Sequence, residues 1–210
     1  TSLSQAKTPN DLWCADFKGQ FKTGDGEYCY PLTVTDGFSR YLLGCEGLLS
    51  TSVKGAKTVF TRIFKEFGLP RRIRTDNGVP FATVTLARLS ALSAWWIRLG
   101  IMPELIEPGK PQQNGRHERM HRTLKAETTR PPGSSCRAQQ GKFDSFIKEF
   151  NNERPHEALD IETPASCYQK SPREMPSKLA PLEYPDRFEV RYVSGNGGIK
   201  WKNTWVNVST

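Results

Sequence analysis

Two apolar, strand-like runs, Tyr28 to Thr35 and Tyr41 to Leu48, meet at Asp36-Gly37-Phe38-Ser39 and are followed at once by a helical stripe. The junction has the residues of a tight turn, so the runs pair as an antiparallel hairpin. The stripe is Val53, Ala56, Phe60, Ile63, Phe64 and Phe67, at helical spacing, and Gly68-Leu69-Pro70 stops it. An earlier apolar run, Leu12 to Phe17, extends the hairpin to a three-stranded meander. Further on, Arg72 to Thr75 and Ile101 to Ile106 read as two short strands. Between them Leu86, Leu89, Leu92, Trp96 and Leu99 form a second helical stripe ended by Gly100. A third helix is expected from about Arg116 to Thr128, and a fourth around Phe143, Phe146, Ile147 and Phe150. Strands first and alternating helices and strands after them define an α/β fold, a mixed five-stranded sheet flanked by helices.

With 210 residues, 36% of them hydrophobic and 25% charged, the chain has ample material for a core, and neither disorder nor low complexity fits it. No apolar run approaches the roughly 20 residues of a membrane helix. The opening residues TSLSQAKTPN carry no basic-then-apolar signal pattern. Membrane partners and export are therefore not expected, and a cytoplasmic location is. The five cysteines, Cys14, Cys29, Cys45, Cys136 and Cys167, contain no Cys-x-x-Cys pair, so neither a zinc ribbon nor a disulfide framework follows. The net charge of +8 points to a polyanionic partner, nucleic acid above all.

After Ser171 the texture changes. Pro172, Pro176, Pro181 and Pro185 punctuate a linker over 172–185, and 186–210 alternates apolar and polar residues around Ser194-Gly195-Asn196-Gly197-Gly198. The expected organisation is a core over 1–171, the linker, and a small C-terminal β appendage that is short for a domain and expected to be truncated.

Three carboxylates stand out by position. Asp16 is near the end of the first strand, where an unpaired acid is expensive. Asp76 ends the fourth strand in Thr75-Asp76-Asn77-Gly78, and loops at strand ends carry chemistry in α/β sheets. Glu118 lies one turn into the helix that follows the Pro- and Gly-rich loop over 108–115. If the first and fourth strands are neighbours and this helix crosses their ends, the three acids converge. Converging anions require a hard divalent cation, and all-oxygen ligands suit Mg²⁺ or Mn²⁺.

These segments resemble a known family. Leu12-Trp13-Cys14-Ala15-Asp16, Thr75-Asp76-Asn77-Gly78 and the stretch from Lys110 through Asn114-Gly115-Arg116-His117-Glu118 to Lys125 are similar to the three catalytic motifs of retroviral-integrase-like transposases, bacterial insertion-sequence transposases most of all. Asp36-Gly37-Phe38-Ser39-Arg40 and Asn151-Asn152-Glu153-Arg154-Pro155 strengthen the likeness, which covers about residues 10–170. It implies a ribonuclease H-like fold, with Asp16, Asp76 and Glu118 as catalytic residues and ligands of two Mg²⁺ or Mn²⁺ ions. It also implies DNA strand cleavage and strand transfer, element ends and target DNA as partners, and a homo-oligomer, at least a dimer, associated with the bacterial nucleoid when bound. One departure is the spacing: 41 residues separate Asp76 from Glu118, more than the family usually shows, which reads as an insertion before the loop. The family recognises its element ends through a preceding helix-turn-helix, and none is evident before Leu12, so the chain is expected to be a fragment.

Between Lys110 and Arg130 six Lys or Arg face two Glu. Lys110, Asn114, Arg116, Arg119, Arg122 and Lys125 are the expected DNA-binding residues, because cations beside a metal site hold phosphates. Glu118, Arg122 and Lys125 share a helix face by spacing, while Met120 and Leu124 fall on the side that docks on the core. Two rival readings exist. His117-Glu118-Arg119-Met120-His121 also spells the His-Glu-x-x-His of zinc peptidases, with Glu149 or Glu153 as a third ligand. The other is a catalytically silent DNA-binding fragment, against which the intact acid triad speaks. His117 and His121 are expected on the helix surface or facing DNA, Asp36 as a turn residue, and Trp13, Trp95 and Trp96 in the core.

Overall fold

Strand β3 (Tyr28–Asp36) organises the sheet because it is paired along both edges. β1 (Trp13–Phe17) and β4 (Leu42–Leu48) flank it antiparallel, and a two-residue strand not visible in the sequence pattern, β2 (Phe21–Lys22), joins its start. β5 (Arg72–Thr75) then adds parallel to β1, and β6 (Met102–Leu105) parallel to β5, which completes a mixed sheet of six strands. The computed structural model describes residues 3–17, 19–83, 89–107, 115–181 and 183–208, without the side chains of 115–118. Among the described residues no helix is long and apolar enough to cross a membrane.

Alternation along the strands sends successive side chains to opposite layers. Trp13 and Ala15, both fully buried, face helix α1 (Val53–Phe67), whose Phe60, Ile63 and Phe64 are fully buried in turn. Trp13 packs on Phe64 at a ring separation of 5.9 Å, and Phe60 meets Trp96 of α2 (Ala91–Arg98) edge-on at 4.9 Å. The expected second helical stripe is shorter than its spacing suggests. Ser90 and Ser93 exchange side-chain-to-backbone hydrogen bonds in a capping box that starts the helix at Ala91, so Leu89 lies outside it, 44% exposed and bridged to Ala82. Leu86 lies outside the described residues.

The opposite layer holds α3 (Gly115–Thr128) and α4 (Cys136–Asn152). Met120 and Leu124 are buried there with Cys29, Leu42, Cys45, Phe143, Phe146 and Phe150. Each such large side chain taken from water contributes about 1.5–3 kcal/mol, which fixes the roll of the polar helix α3. Arg154 ties the two helices together, its Nη1 donating to Glu127 at 2.8 Å and its Nη2 to Glu149 at 2.6 Å. Asp36 is a structural acid as expected: it is 1% exposed and accepts from the backbone of Asn10 and Ser39 at 2.7 and 2.8 Å. Burial pushes its pKa up, against those hydrogen bonds.

The chain divides into two compact units, Thr1–Ser177, which holds everything above together with the short helix α5 (Pro164–Cys167), and Lys178–Thr210. The second unit contains a hairpin, β7 (Gly198–Trp201) and β8 (Thr204–Asn207). It turns at Lys202-Asn203, with Lys202 at φ 52°, rather than in the glycine-rich stretch before it.

Candidate active site

β1 and β5 run side by side in the same direction, with Trp13 opposite Ile73 and Cys14 opposite Arg74. Carried two residues past its last pair, that register would bring Asp16 beside Asp76, which follows β5 directly, at the carboxyl ends of adjacent parallel strands about 4.8 Å apart. Both share a face with Cys14 and Arg74, the layer that α3 covers. This is the place where an open α/β sheet offers side chains to a ligand.

The turn after β5 is built to hold Asp76 still. Gly78 N–H donates to Asp76 Oδ1 at 3.0 Å, and Asn77 Nδ2 donates to the Ile106 carbonyl at 2.8 Å, which ties the ends of β5 and β6. A side chain at position 78 would put its Cβ 3.2 Å from the Asp76 carboxylate, so glycine keeps that acid uncrowded. Asn77 Oδ1 is buried without a partner among the described residues.

Helix α3 brings the third acid by its backbone: Glu118 sits in the first turn, three residues before His121. The side chains of Arg116, His117 and Glu118 lie outside the described residues, as do Lys110 and Asn114 altogether. Arg119, Arg122 and Lys125 are exposed.

His121 is a correction to the sequence reading. It is 2% exposed, with Nε2 2.6 Å from Thr33 Oγ1 and Nδ1 3.6 Å from Asp16 Oδ2. It belongs to the inner stripe of α3 with Leu124 and Thr128, three and seven residues on, and not to the charged face. That stripe is the available signal in the sequence; the neighbouring arginines hide it. Thr33, which no sequence motif singles out, pairs directly with Asp16 across β1 and β3.

Two ligands of the zinc-peptidase reading, His121 and Glu149, are engaged elsewhere, and the side chain of His117 lies outside the described residues. His121 is engaged by Thr33 and Asp16, Glu149 is held by Arg154 at 2.6 Å, and Glu153 is exposed beyond α4. Among the described residues no three His, Cys, Asp or Glu side chains gather as a metal site. The donor chemistry at the strand ends suits a hard cation: Asp16, 24% exposed, and Asp76, directly after β5, offer carboxylate oxygens. A cavity of about 870 Å³ begins one pleat behind them, where Cys14 and Arg74 line it with Arg40, Arg119, Arg122 and His156. Arg74 is 8% exposed and paired to Glu104 at 2.6 Å. Burial pushes the Cys14 thiol up to about 11, with Arg74 opposing, so Cys14 is no thiolate nucleophile at neutral pH.

Two family models, both described as an integrase core domain, match residues 6–111 and 99–164. A Gag-Pol polyprotein of avian reticuloendotheliosis virus is 36% identical over 125 residues, 59% of this chain and 10% of the polyprotein. An uncharacterized protein of insertion element IS407 from Burkholderia multivorans is 26% identical over 171 residues, 80% of this chain and 58% of that protein. The chain thus spans only part of these relatives. Among solved structures, the HTLV-2 integrase catalytic core domain in complex with magnesium superposes with a TM-score of 0.61 at 15% identity, covering 79% of this chain and all (100%) of that one. An intasome of simian T-cell lymphotropic virus gives a TM-score of 0.65 at 17% identity, covering 98% of this chain and 79% of that one. These likenesses show a ribonuclease H-like fold.

Proposed function

The chain belongs to the integrase core domain family, enzymes of the polynucleotidyl transferase type, and on that premise we propose that it cleaves DNA strands and transfers them at phosphodiester bonds, with Asp16, Asp76 and Glu118 as its catalytic acids. The observation that supports the reading is the β1–β5 register, which carried two residues further would bring Asp16 beside Asp76, together with the docking of α3, which bears Glu118, against Asp16 through His121. The three acids would hold two Mg²⁺ or Mn²⁺ ions, which when bound activate a water or a DNA 3′-hydroxyl and stabilise the leaving oxygen. The protein's own work is positional. The Asp76 turn and the docked helix fix the acids, and Arg119, Arg122 and Lys125, with Lys110, Asn114 and Arg116, grip phosphates beside them.

Residues 1–171 form the catalytic core in this reading, 172–185 the linker and 186–210 the β appendage, with element ends and target as DNA partners and a dimer or larger oligomer as the working form. The solved relatives include dimeric and trimeric forms of the HTLV-2 core, which supports self-association. The test is Mn²⁺-dependent nicking and strand joining on labelled duplex DNA by the purified chain. Glu118→Gln and Asp76→Asn should each abolish it while leaving the thermal melt of the metal-free protein near wild type. Persistent activity in either variant would overturn the assignment.

A further inference from the structure

Helix α3 is strongly polar, yet it buries a histidine against the strand that bears Asp16. A polar ring withdrawn from water needs a partner, and His121 Nε2 has one in Thr33 Oγ1 at 2.6 Å, while Nδ1 faces Asp16 Oδ2 at 3.6 Å, an electrostatic contact longer than a hydrogen bond. Thr33 is fully buried and faces Asp16 in the β1–β3 register, and its hydroxyl also donates to the Asp16 carbonyl at 3.2 Å. Backbone, hydroxyl, imidazole and carboxylate thus form one assembly around Asp16. Met120 and Leu124, before and after His121 in the chain, are buried as well.

We propose that His121 is a positioning residue for Asp16: its imidazole, anchored by Thr33, fixes the direction in which the carboxylate offers its oxygens to a divalent cation. This rests on the reading of Asp16 as a metal ligand. An aspartate at a strand end has two free side-chain torsions, and Asp16 is open to solvent on part of its surface. The packed imidazole closes one side of the carboxylate. Groups that orient a ligating carboxylate raise metal affinity as well as activity, and losing one costs roughly 10–100-fold. A histidine that only fills the core would contribute to stability and leave cation affinity unchanged.

The experiment is a Mn²⁺ titration of the 210-residue chain, free Mn²⁺ being followed by its electron paramagnetic resonance signal. Wild type is compared with Asp16→Asn, His121→Leu, His121→Asn and Thr33→Val, with circular dichroism reporting the fold of each. His121→Leu and Thr33→Val should weaken Mn²⁺ binding by about tenfold or more, and His121→Asn, whose amide nitrogen stands near the place of Nδ1, should restore affinity to within about threefold of wild type. Thr33→Val keeps the core shape and carries the test if His121→Leu fails to fold. Wild-type affinity in the folded His121→Leu or Thr33→Val protein, with binding lost in Asp16→Asn, would overturn the role of His121 and leave the metal reading intact. A wild type that binds no Mn²⁺ would bring down both.

Discussion

Asn151, in the last turn of α4, is the clamp that should matter most for holding the helical layer on the sheet. It is 1% exposed and makes a two-way contact with the β4 backbone: its Oδ1 accepts from Leu42 N–H at 2.8 Å and its Nδ2 donates to the Leu42 carbonyl at 3.0 Å. Among the described residues β4 has no strand partner on that edge, so the side chain takes the place of a missing neighbour. Asn151→Leu keeps the volume and strands both backbone groups away from water. Each unsatisfied group costs about 1–3 kcal/mol, so a loss of roughly 3 kcal/mol is expected. For the unit Thr1–Ser177, an unfolding entropy of about 2.1 cal/mol/K per residue converts that to a fall in Tm of about 8 °C. Urea denaturation read by tryptophan fluorescence measures the first quantity and calorimetry the second. Asn151→Asp should also destabilise, because a carboxylate keeps the acceptor but meets the Leu42 carbonyl with a second negative oxygen. If Asn151→Leu changed stability by less than about 0.5 kcal/mol, the typical scatter of neutral surface changes, the clamp argument would be wrong.

Three further outcomes are expected. Millimolar Mg²⁺ or Mn²⁺ should raise Tm, by about 2.7 kcal/mol of linkage at a hundredfold excess over Kd, and Asp76→Asn should cancel the rise; an equal rise in that variant refutes the site. Lys125→Ala should weaken binding to every duplex tested and flatten the plot of log affinity against log salt by roughly one unit, whereas an unchanged slope would mean that the exposed face of α3 points away from DNA. Burial, followed by the charges of Arg40 and Arg154, holds the His156 pKa below its ordinary 6.5. The unfolded chain therefore takes up its proton first as pH drops, so Tm should decline from pH 6.5 downward through the folded value and His156→Gln should flatten that decline; an equally steep decline in His156→Gln would refute the assignment.

How much of this was legible in the sequence depends on the range of the interaction that decides each feature. The strands and helices followed from local pattern: the α1 stripe ends at Phe67 beside Gly68, and β5 occupies Arg72–Thr75, as the spacing indicates. Single side chains override the local pattern at two places. Ser90 caps α2 and cuts Leu89 off, and Lys202 in a positive-φ conformation moves the final turn past the glycines that suggest it. β2 is too short to leave any periodic trace and exists only because β3 offers an edge.

The site divides in the same way. Asp16 was legible as an acid near the end of an apolar strand and Asp76 as the residue that follows a short strand in Thr75-Asp76-Asn77-Gly78, and the pairing of β1 with β5 needed only the assumption that the two strands are neighbours. His121 was not, because its environment is made by β1 and β3, more than 80 residues earlier in the chain, while its sequence neighbours are arginines. The Arg-x-x-Arg-x-x-Arg spacing of Arg116, Arg119 and Arg122 walks around the helix, so it says little about which residues lie underneath. Leu124 and Thr128 do say it, since both are buried and both stand on the His121 stripe. In a helix this polar, the buried stripe, and not the density of charge, identifies the residue that reaches the strand bearing Asp16.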